Sequence, residues 1–354
     1  MSSRIERLQQ TFDQLKIDAF LVSSEANLHY LTGMPAMAGD GYLLVLADSV
    51  YLITDARYQT AFNGQYDQDH LVITRDYLGA VCKIIAQTQT GVMGFEADLP
   101  YAAYSYLDEY LTSDLVGLPD VVDQLRITKS AEEIQRLRAA AQLADAGFEY
   151  VTSIVRPGMR EIDVSNLLDA FMRSHGASNP SFTTIVLGGA RAALPHGTAS
   201  TAVLEAGQMV TLDFGYFVND YTADMTRTFA LGTPDAKLKT AYQAVQQAQQ
   251  AVIDHVQAGA NSADLDAAGR DLLTKAGYGP AFNHGMGHGI GLAIHEGPLI
   301  SKNTNNVLVA NSVVTVEPGV YFPDLGGIRI EDDVLVTATG HERLTQATRN
   351  LLIL

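Results

Sequence analysis

The chain has no tryptophan, one cysteine, and only 23 lysines and arginines against 40 aspartates and glutamates in 354 residues. Each shortage excludes something. A single thiol, Cys82, cannot close an intrachain disulfide, and its apolar setting, AVCKII, points to a buried thiol and not to a nucleophile, which suits a reducing cytoplasm. The net charge of −17 repels phosphate backbones and anionic bilayers, so neither nucleic acid nor a membrane surface is an expected partner. No uninterrupted apolar run is long enough to span a bilayer, and the leading MSSRIERLQQTFDQL mixes charges into a helical pattern without an apolar signal core. The chain reads as soluble and unexported. What it does have is 47% hydrophobic residues, enough at this length for two domains with cores of their own.

Ile5, Leu8, Phe12 and Leu15 recur at steps of three and four, which predicts an amphipathic first helix. Short apolar runs follow at 19–22, 42–46, 50–53, 71–74 and 92–95, separated by helical stretches near 57–62 and 78–87, the pattern of an α/β unit. Tyr101, Tyr104, Tyr106 and Tyr110 predict a helix with partly buried rings, and His29 and His70 have no partner visible in the sequence and are expected to be structural. Near Arg126 the pattern changes. Ser130 followed by Glu133 forms a capping box for a long helix, so the boundary is placed to give domains 1–126 and 127–354. Arg156-Pro157-Gly158 ends that helix, a second runs over 162–175, strands dominate 183–228, and two further helices cover 237–257 and 263–276, with Gly277 at the last C-terminus.

Candidate chemistry sits in four places. In 209–230, two β-rich runs flank a turn at Asn219-Asp220. A loop over 217–220 pairs Tyr216 with Tyr221 and sets Asp213 opposite Asp224, where directly facing residues have Cβ atoms roughly 4.5–5.5 Å apart and like charges need a cation between them. Leu212, Phe214 and Met225 flank the two acids, which argues against a solvated face. Glu317 ends the apolar run 313–316, and Glu331 heads another strand after Arg329-Ile330. Alternation puts Arg329 on the face of Glu331, able to brace that carboxylate or a substrate anion, and turns Asp332 to the opposite face as a solvated acid. The segment 283–298, NHGMGHGIGLAIHEGP, adds His284, His288 and His295 among glycines that let the backbone approach closely. Four carboxylates and a histidine suit two divalent ions of the Mn²⁺, Fe²⁺, Co²⁺ or Zn²⁺ type better than a thiolate-seeking metal.

Taken together, LPHG around His196, TLDFG with Asp213, ADMTRT with Asp224, GHGIGLAIHEGP with His288 and His295, TVEPGVY with Glu317 and GIRIEDD with Glu331 resemble the Xaa-Pro aminopeptidase and prolidase family, relatives of methionine aminopeptidase. The resemblance implies an α/β (α+β) architecture in which a smaller α/β N-terminal domain precedes a pita-bread catalytic domain. It implies Asp213, Asp224, His288, Glu317 and Glu331 as ligands of a dinuclear centre, with Mn²⁺ the first expectation and Co²⁺, Zn²⁺ or Fe²⁺ as alternatives. It further implies a hydroxide bridging two metals as nucleophile, Glu317 as proton shuttle, His196 and His295 as residues that bind substrate and stabilise the tetrahedral intermediate, His284 lining the pocket, and Arg329 orienting Glu331 or substrate. The expected substrate is a proline-containing peptide and the expected assembly a homodimer in the cytoplasm. Cleavage of Xaa-Pro bonds from longer peptides stands first. A dipeptide-only prolidase is the alternative, and methionine aminopeptidase fits less well because it normally lacks such a leading domain. A metal-free, creatinase-like binding module is disfavoured because all five ligand positions are filled.

Overall fold

The structure, a computed structural model, describes residues 2–33, 39–62 and 70–354. It divides into two compact units, Met1–Arg126 and Ile127–Leu354.

In the first unit six strands form one mixed sheet: β1 (Ala19–Val22), β2 (Gly41–Leu46), β3 (Val50–Thr54), β4 (Leu71–Ile73), β5 (Val92–Glu96) and β6 (Asp114–Leu118), in the order β4-β3-β2-β1-β5-β6. β1, β2 and β3 pair antiparallel, whereas β4, β5 and β6 join parallel to their neighbours. Periodicity misses β6 because it is an edge strand, largely exposed and with little apolar alternation to announce it. The single helix expected at the N-terminus is two, Ser2–Gln9 and Phe12–Leu15: the Thr11 hydroxyl donates to the Leu8 carbonyl and competes with the helical ladder at the break. The tyrosine helix forms over Tyr101–Tyr110, yet Tyr101 and Tyr110 stand in solvent. Cys82 is half-buried and not buried as expected; burial pushes its thiol up, away from nucleophilic character.

In the second unit two sheets are each backed by a pair of helices. β7 (Ile185–Gly188), β8 (Met209–Phe214) and β11 (Met225–Ala230) form an antiparallel sheet in the order β11-β8-β7, while β9 (Phe217–Val218) and β10 (Tyr221–Thr222) make the hairpin between β8 and β11. Phe148, Leu168, Met172, Leu212 and Phe214 bury the helices Ala131–Ile154 and Glu161–Ser174 against this sheet. The second sheet orders β12 (Gly287–Gly289), β13 (Glu296–Ile300), β14 (Val313–Val316), β17 (Asp332–Thr337) and β18 (Gly340–Arg343) as β13-β12-β14-β17-β18, and β15 (Gly319–Phe322) pairs with β16 (Gly326–Arg329) beside it. Val245, Val252, Leu265, Val314, Val316 and Val334 join it to the helices Ala236–Ile253 and Ser262–Lys275. The capping box is formed: Ser130 Oγ accepts from the Glu133 amide, and the Glu133 carboxylate accepts from the Ser130 amide.

The hairpin register differs from the expected one. Asn219 and Asp220 alone form the turn, at φ 49° and 71°, so Val218 pairs with Tyr221 and Asp213 lies opposite Thr226, not Asp224. Two positive φ angles in succession match a two-residue primed turn, whose twist suits the flanking strands better than a four-residue loop. The shift spans two residues, which preserves the face of every side chain, so Asp224 remains on the side toward which Asp213 points.

Asp332 is also not the solvated acid expected. It is fully buried, and its Oδ1 receives Arg227 Nη2 at 2.6 Å and Thr345 Oγ1 at 2.7 Å, while Oδ2 accepts from Gln249 at 3.1 Å. Arg227 spends all its donors: Nη1 on the carbonyls of Thr226 and Glu331, Nη2 on Asp332 and the Ala347 carbonyl, and Nε on the Thr348 carbonyl. Alternation reports only the face of a strand; the helix Ala236–Ile253 and residues 345–349 cover that face. Removing one partner of a buried pair strands the other charge. Arg227→Met is therefore expected to destabilise the fold by about 3–5 kcal/mol in urea unfolding, and an unchanged midpoint would show that the pair does not hold these segments together.

Candidate active site

One cavity of about 280 Å³ in the second unit is lined by all nine predicted site residues: Asp213, Asp224, His284, His288, Glu317, Arg329, Glu331, His196 and His295. They reach it from different elements: Asp213 from β8, Asp224 just before β11, His288 from β12, Glu317 after β14, and Glu331 between β16 and β17. His288 stands between Gly287 and Gly289 for a steric reason. A Cβ at Gly287 would lie 2.0 Å from the Thr315 carbonyl oxygen, and one at Gly289 2.1 Å from that of Gly297, so only glycine lets β12 lie this close to both neighbouring strands. Met286 is fully buried on the opposite side, where a Cβ on Gly269 would meet its terminal methyl at 2.6 Å, and it takes no part in lining the cavity.

The closest convergence is among Asp224, His288 and Glu331, whose donor atoms lie within 4.8 Å of one another. His288 Nε2 is 3.6 Å from Asp224 Oδ2 and 3.7 Å from Glu317 Oε1. Its Nδ1 is 3.0 Å from the Gly289 carbonyl oxygen, an acceptor only, so Nδ1 carries the proton and the Nε2 lone pair faces the carboxylates. Asp213 faces Arg329, whose Nη2 donates to Oδ2 at 2.5 Å. The contact expected between Arg329 and Glu331 runs through a hydroxyl: Arg329 Nε donates to Thr226 Oγ1 at 3.0 Å, and Thr226 Oγ1 donates to Glu331 Oε2 at 2.6 Å. Arg329 Nη1 donates to the Tyr321 hydroxyl at 2.7 Å, which lies 2.8 Å from His284 Nε2; His284 Nδ1 donates to the Gly285 carbonyl. His295 and His196 are exposed where they line the cavity, with the His295 ring edge-on to His288 at 4.5 Å.

Burial, then the charges of Glu331 and Asp213, hold the Asp224 carboxyl well above the usual carboxylate range; burial and the charges of Glu317 and Asp213 do the same to Glu331. Glu317 is pushed up to about 7 by burial, and His288 is pushed down to about 4 by the same cause. Burial and then the Arg329 charge bring His284 to about 4, and burial lowers His295. The protein by itself thus resists ionising its own acids. Asp213 Oδ1 and Asp224 Oδ1 are buried and accept no hydrogen bond, and the unprotonated His288 Nε2 faces Asp224 and Glu317, so the residues fit hard-to-borderline divalent cations.

Sequence reasoning missed Thr226, Tyr321 and Asp333. Tyr321 was visible in TVEPGVY, at strand parity with Glu317, but a tyrosine in an apolar strand carries no signal of its own. Asp333 is buried and takes the Asp224 amide on Oδ2 at 3.0 Å, a contact across 109 residues.

Residues 135–338 match the model of metallopeptidase family M24, and residues 4–128 match the Creatinase/Prolidase N-terminal domain. The chain belongs to metallopeptidase family M24. A solved Xaa-Pro dipeptidase from Bacillus anthracis superposes with a TM-score of 0.96 at 41% identity, covering 100% of this chain and 99% of that one. The Xaa-Pro dipeptidase of Pyrococcus furiosus is 34% identical over 99% of this chain and 100% of its own length. A solved X-Pro aminopeptidase from Thermotoga maritima gives 0.90 at 33% identity over 99% of both chains. The M24 chain is a metallopeptidase whose pita-bread catalytic unit follows an α/β N-terminal domain in the sequence, as the motifs implied. Among the described residues no helix is long and apolar enough to cross a membrane.

The raised Glu317 carboxyl has a measurable consequence in metal-free protein. The folded state holds a proton that the unfolded chain releases, so the stability this group contributes is full below 4.5 and lost as pH rises to about 7. Glu317→Gln lacks that loss. In chelator, its stability relative to the parent is expected to rise across this window by up to roughly 1.4 kcal/mol per pH unit; a difference that stays flat in urea titrations would refute the shift.

Proposed function

We propose that this M24 peptidase hydrolyses Xaa-Pro bonds and acts on dipeptides in preference to longer chains. The observation that carries the reading is the convergence of Asp213, Asp224, His288, Glu317 and Glu331 on one cavity that is also lined by His196, His284 and His295. The motifs alone put longer peptides first. The names of the relatives support the reverse order. The Thermotoga maritima relative supports the aminopeptidase as the second reading.

Asp213, Asp224, His288, Glu317 and Glu331 would hold two divalent ions, with Mn²⁺ the native choice for a set rich in carboxylates. When bound, such ions supply Lewis acidity at the scissile carbonyl and lower the proton affinity of water. The chain's own groups do the rest. Glu317 takes a proton from the water whose oxygen bonds to the scissile carbonyl carbon, and returns it to the prolyl nitrogen as the C–N bond breaks. His295 and His196, kept at the exposed edge of the cavity, hold the substrate and donate to the oxygen on which charge develops. Arg329 fixes Asp213 directly and Glu331 through Thr226, so two of the acids are set before substrate arrives. An Xaa-Pro bond has no N–H to offer a general peptidase cleft, which is why a dedicated site is needed.

The discriminating experiment is an assay of Mn²⁺-loaded protein on Xaa-Pro against Xaa-Pro-Yaa-Zaa peptides. The dipeptide is expected to give at least about tenfold higher kcat/KM, a difference of about 1.4 kcal/mol; the opposite ratio would establish the aminopeptidase. Asp213→Ala and Glu331→Ala are each expected to lose metal and hydrolysis together, and full metal content with intact turnover in either would remove that residue from the ligand set.

A further inference from the structure

His295 lies on a stretch, 291–295, that has no regular structure and runs between β12 and β13; Ile294 and His295 from this loop line the cavity. Its internal bonding is slight, a single turn contact from the Gly291 amide to the Ala293 carbonyl at 3.1 Å. What holds it lies underneath. The buried Glu296 side chain folds back beneath the loop, accepting the Ala293 amide on Oε1 at 2.9 Å, and its Oε2 would lie 2.7 Å from a Cβ at Gly291. That same Oε2 meets Lys129 Nζ at 3.2 Å, with the two side chains 3% and 1% exposed.

Lys129 is itself fixed. Its amide donates to the Asn311 carbonyl at 2.9 Å, and the next residue, Ser130, caps the helix Ala131–Ile154. Glu133, which closes that capping box, accepts the Tyr221 hydroxyl at 2.7 Å, and the adjacent Thr222 amide donates to the Gly291 carbonyl at 3.0 Å. The start of the helix, the hairpin and the loop are therefore tied to one another by a series of polar contacts. A buried ion pair contributes little net stability compared with apolar side chains of similar size, but it demands a defined geometry from both partners.

We propose that Lys129 is a positioning residue for the substrate side of the site: through Glu296 it fixes the loop 291–295 and so the placement of Ile294 and His295. This rests on the reading of His295 as a substrate-binding residue. Displacement of a substrate-holding group by about 1 Å can cost roughly a hundredfold in rate, so an ion pair set beneath the loop has leverage over turnover.

The test uses the full-length Mn²⁺-loaded protein. Lys129→Met alone leaves the Glu296 charge buried without its lysine, so the double variant Lys129→Met/Glu296→Gln, which removes both charges while keeping an acceptor for the Ala293 amide, carries the measurement. Hydrogen exchange of the loop amides at 291–295 is expected to quicken by roughly tenfold or more while β14 and β17 keep their protection. Metal content is expected to stay at the parental level, with a fall in kcat/KM of roughly tenfold carried mainly by KM. Lys129→Arg is expected to retain most of the activity. On a His295→Ala background the double variant is expected to cost less than about twofold, because the interaction it supports is already gone. Unchanged exchange in the loop overturns the proposal, and so does an equal loss on both backgrounds. Should His295→Ala alone leave kinetics unchanged, the reading of His295 fails while the exchange result still decides the role of Lys129.

Discussion

Mutual repulsion among buried carboxylates is the constraint on which the catalytic unit depends. Asp224 and Glu331 sit within one donor cluster with His288, Glu317 is within 4 Å of the same imidazole, and burial holds the protons of these acids on well above the usual carboxylate range. Such a cluster ionises fully only with positive charge nearby. The protein supplies part of it: Arg329 meets Asp213 directly and Glu331 through Thr226, and Arg227 holds the backbone at Glu331 together with Asp332. Among the described residues three buried carboxylate oxygens, on Asp213, Asp224 and Asp333, are left without a donor, and the two whose residues line the cavity, Asp213 and Asp224, point to cations as the remaining compensation.

The architecture makes this concentration of charge possible. Each of the two sheets is backed by its own helix pair through a continuous apolar cluster, so strand ends can carry acids at little cost to the cores. The acids occupy or immediately adjoin the strands β8, β11, β14 and β17, and β12 places an imidazole among them because its glycines admit neighbouring backbones that a side chain would exclude. Loops then bring the remaining histidines to the same cavity, where burial, and for His284 the neighbouring Arg329 charge, lowers the proton affinity of His284 and His295.

Local chemistry was legible wherever it is decided within a few residues. The Ser130 and Glu133 box, the turn at Asn219-Asp220 and the close-packed glycines around His288 all act over short distances, and each is found in the fold. Acids in apolar settings, at or beside strands, were legible too, because an unpaired charge beside Leu212 and Phe214 is expensive enough to demand a reason. The register of the hairpin was not, since the choice between a two-residue and a four-residue loop changes partners without changing faces. Asp332 and Asp333 were misjudged or missed for a related reason: alternation gives their faces correctly but does not say that helix and C-terminal segment cover them.

The sequence by itself determined the residue chemistry, the helix starts, the turn and the family motifs, because hydrogen bonding and backbone preference at those points involve near neighbours. Tertiary structure alone decided which guanidinium answers which acid, that Thr226 relays Arg329 to Glu331, that Arg227 is enclosed with Asp332, and that Lys129 lies beneath the loop of His295. Most of these contacts join residues about a hundred or more positions apart, and pairs at that separation are chosen by the packing of whole layers, which no local pattern encodes.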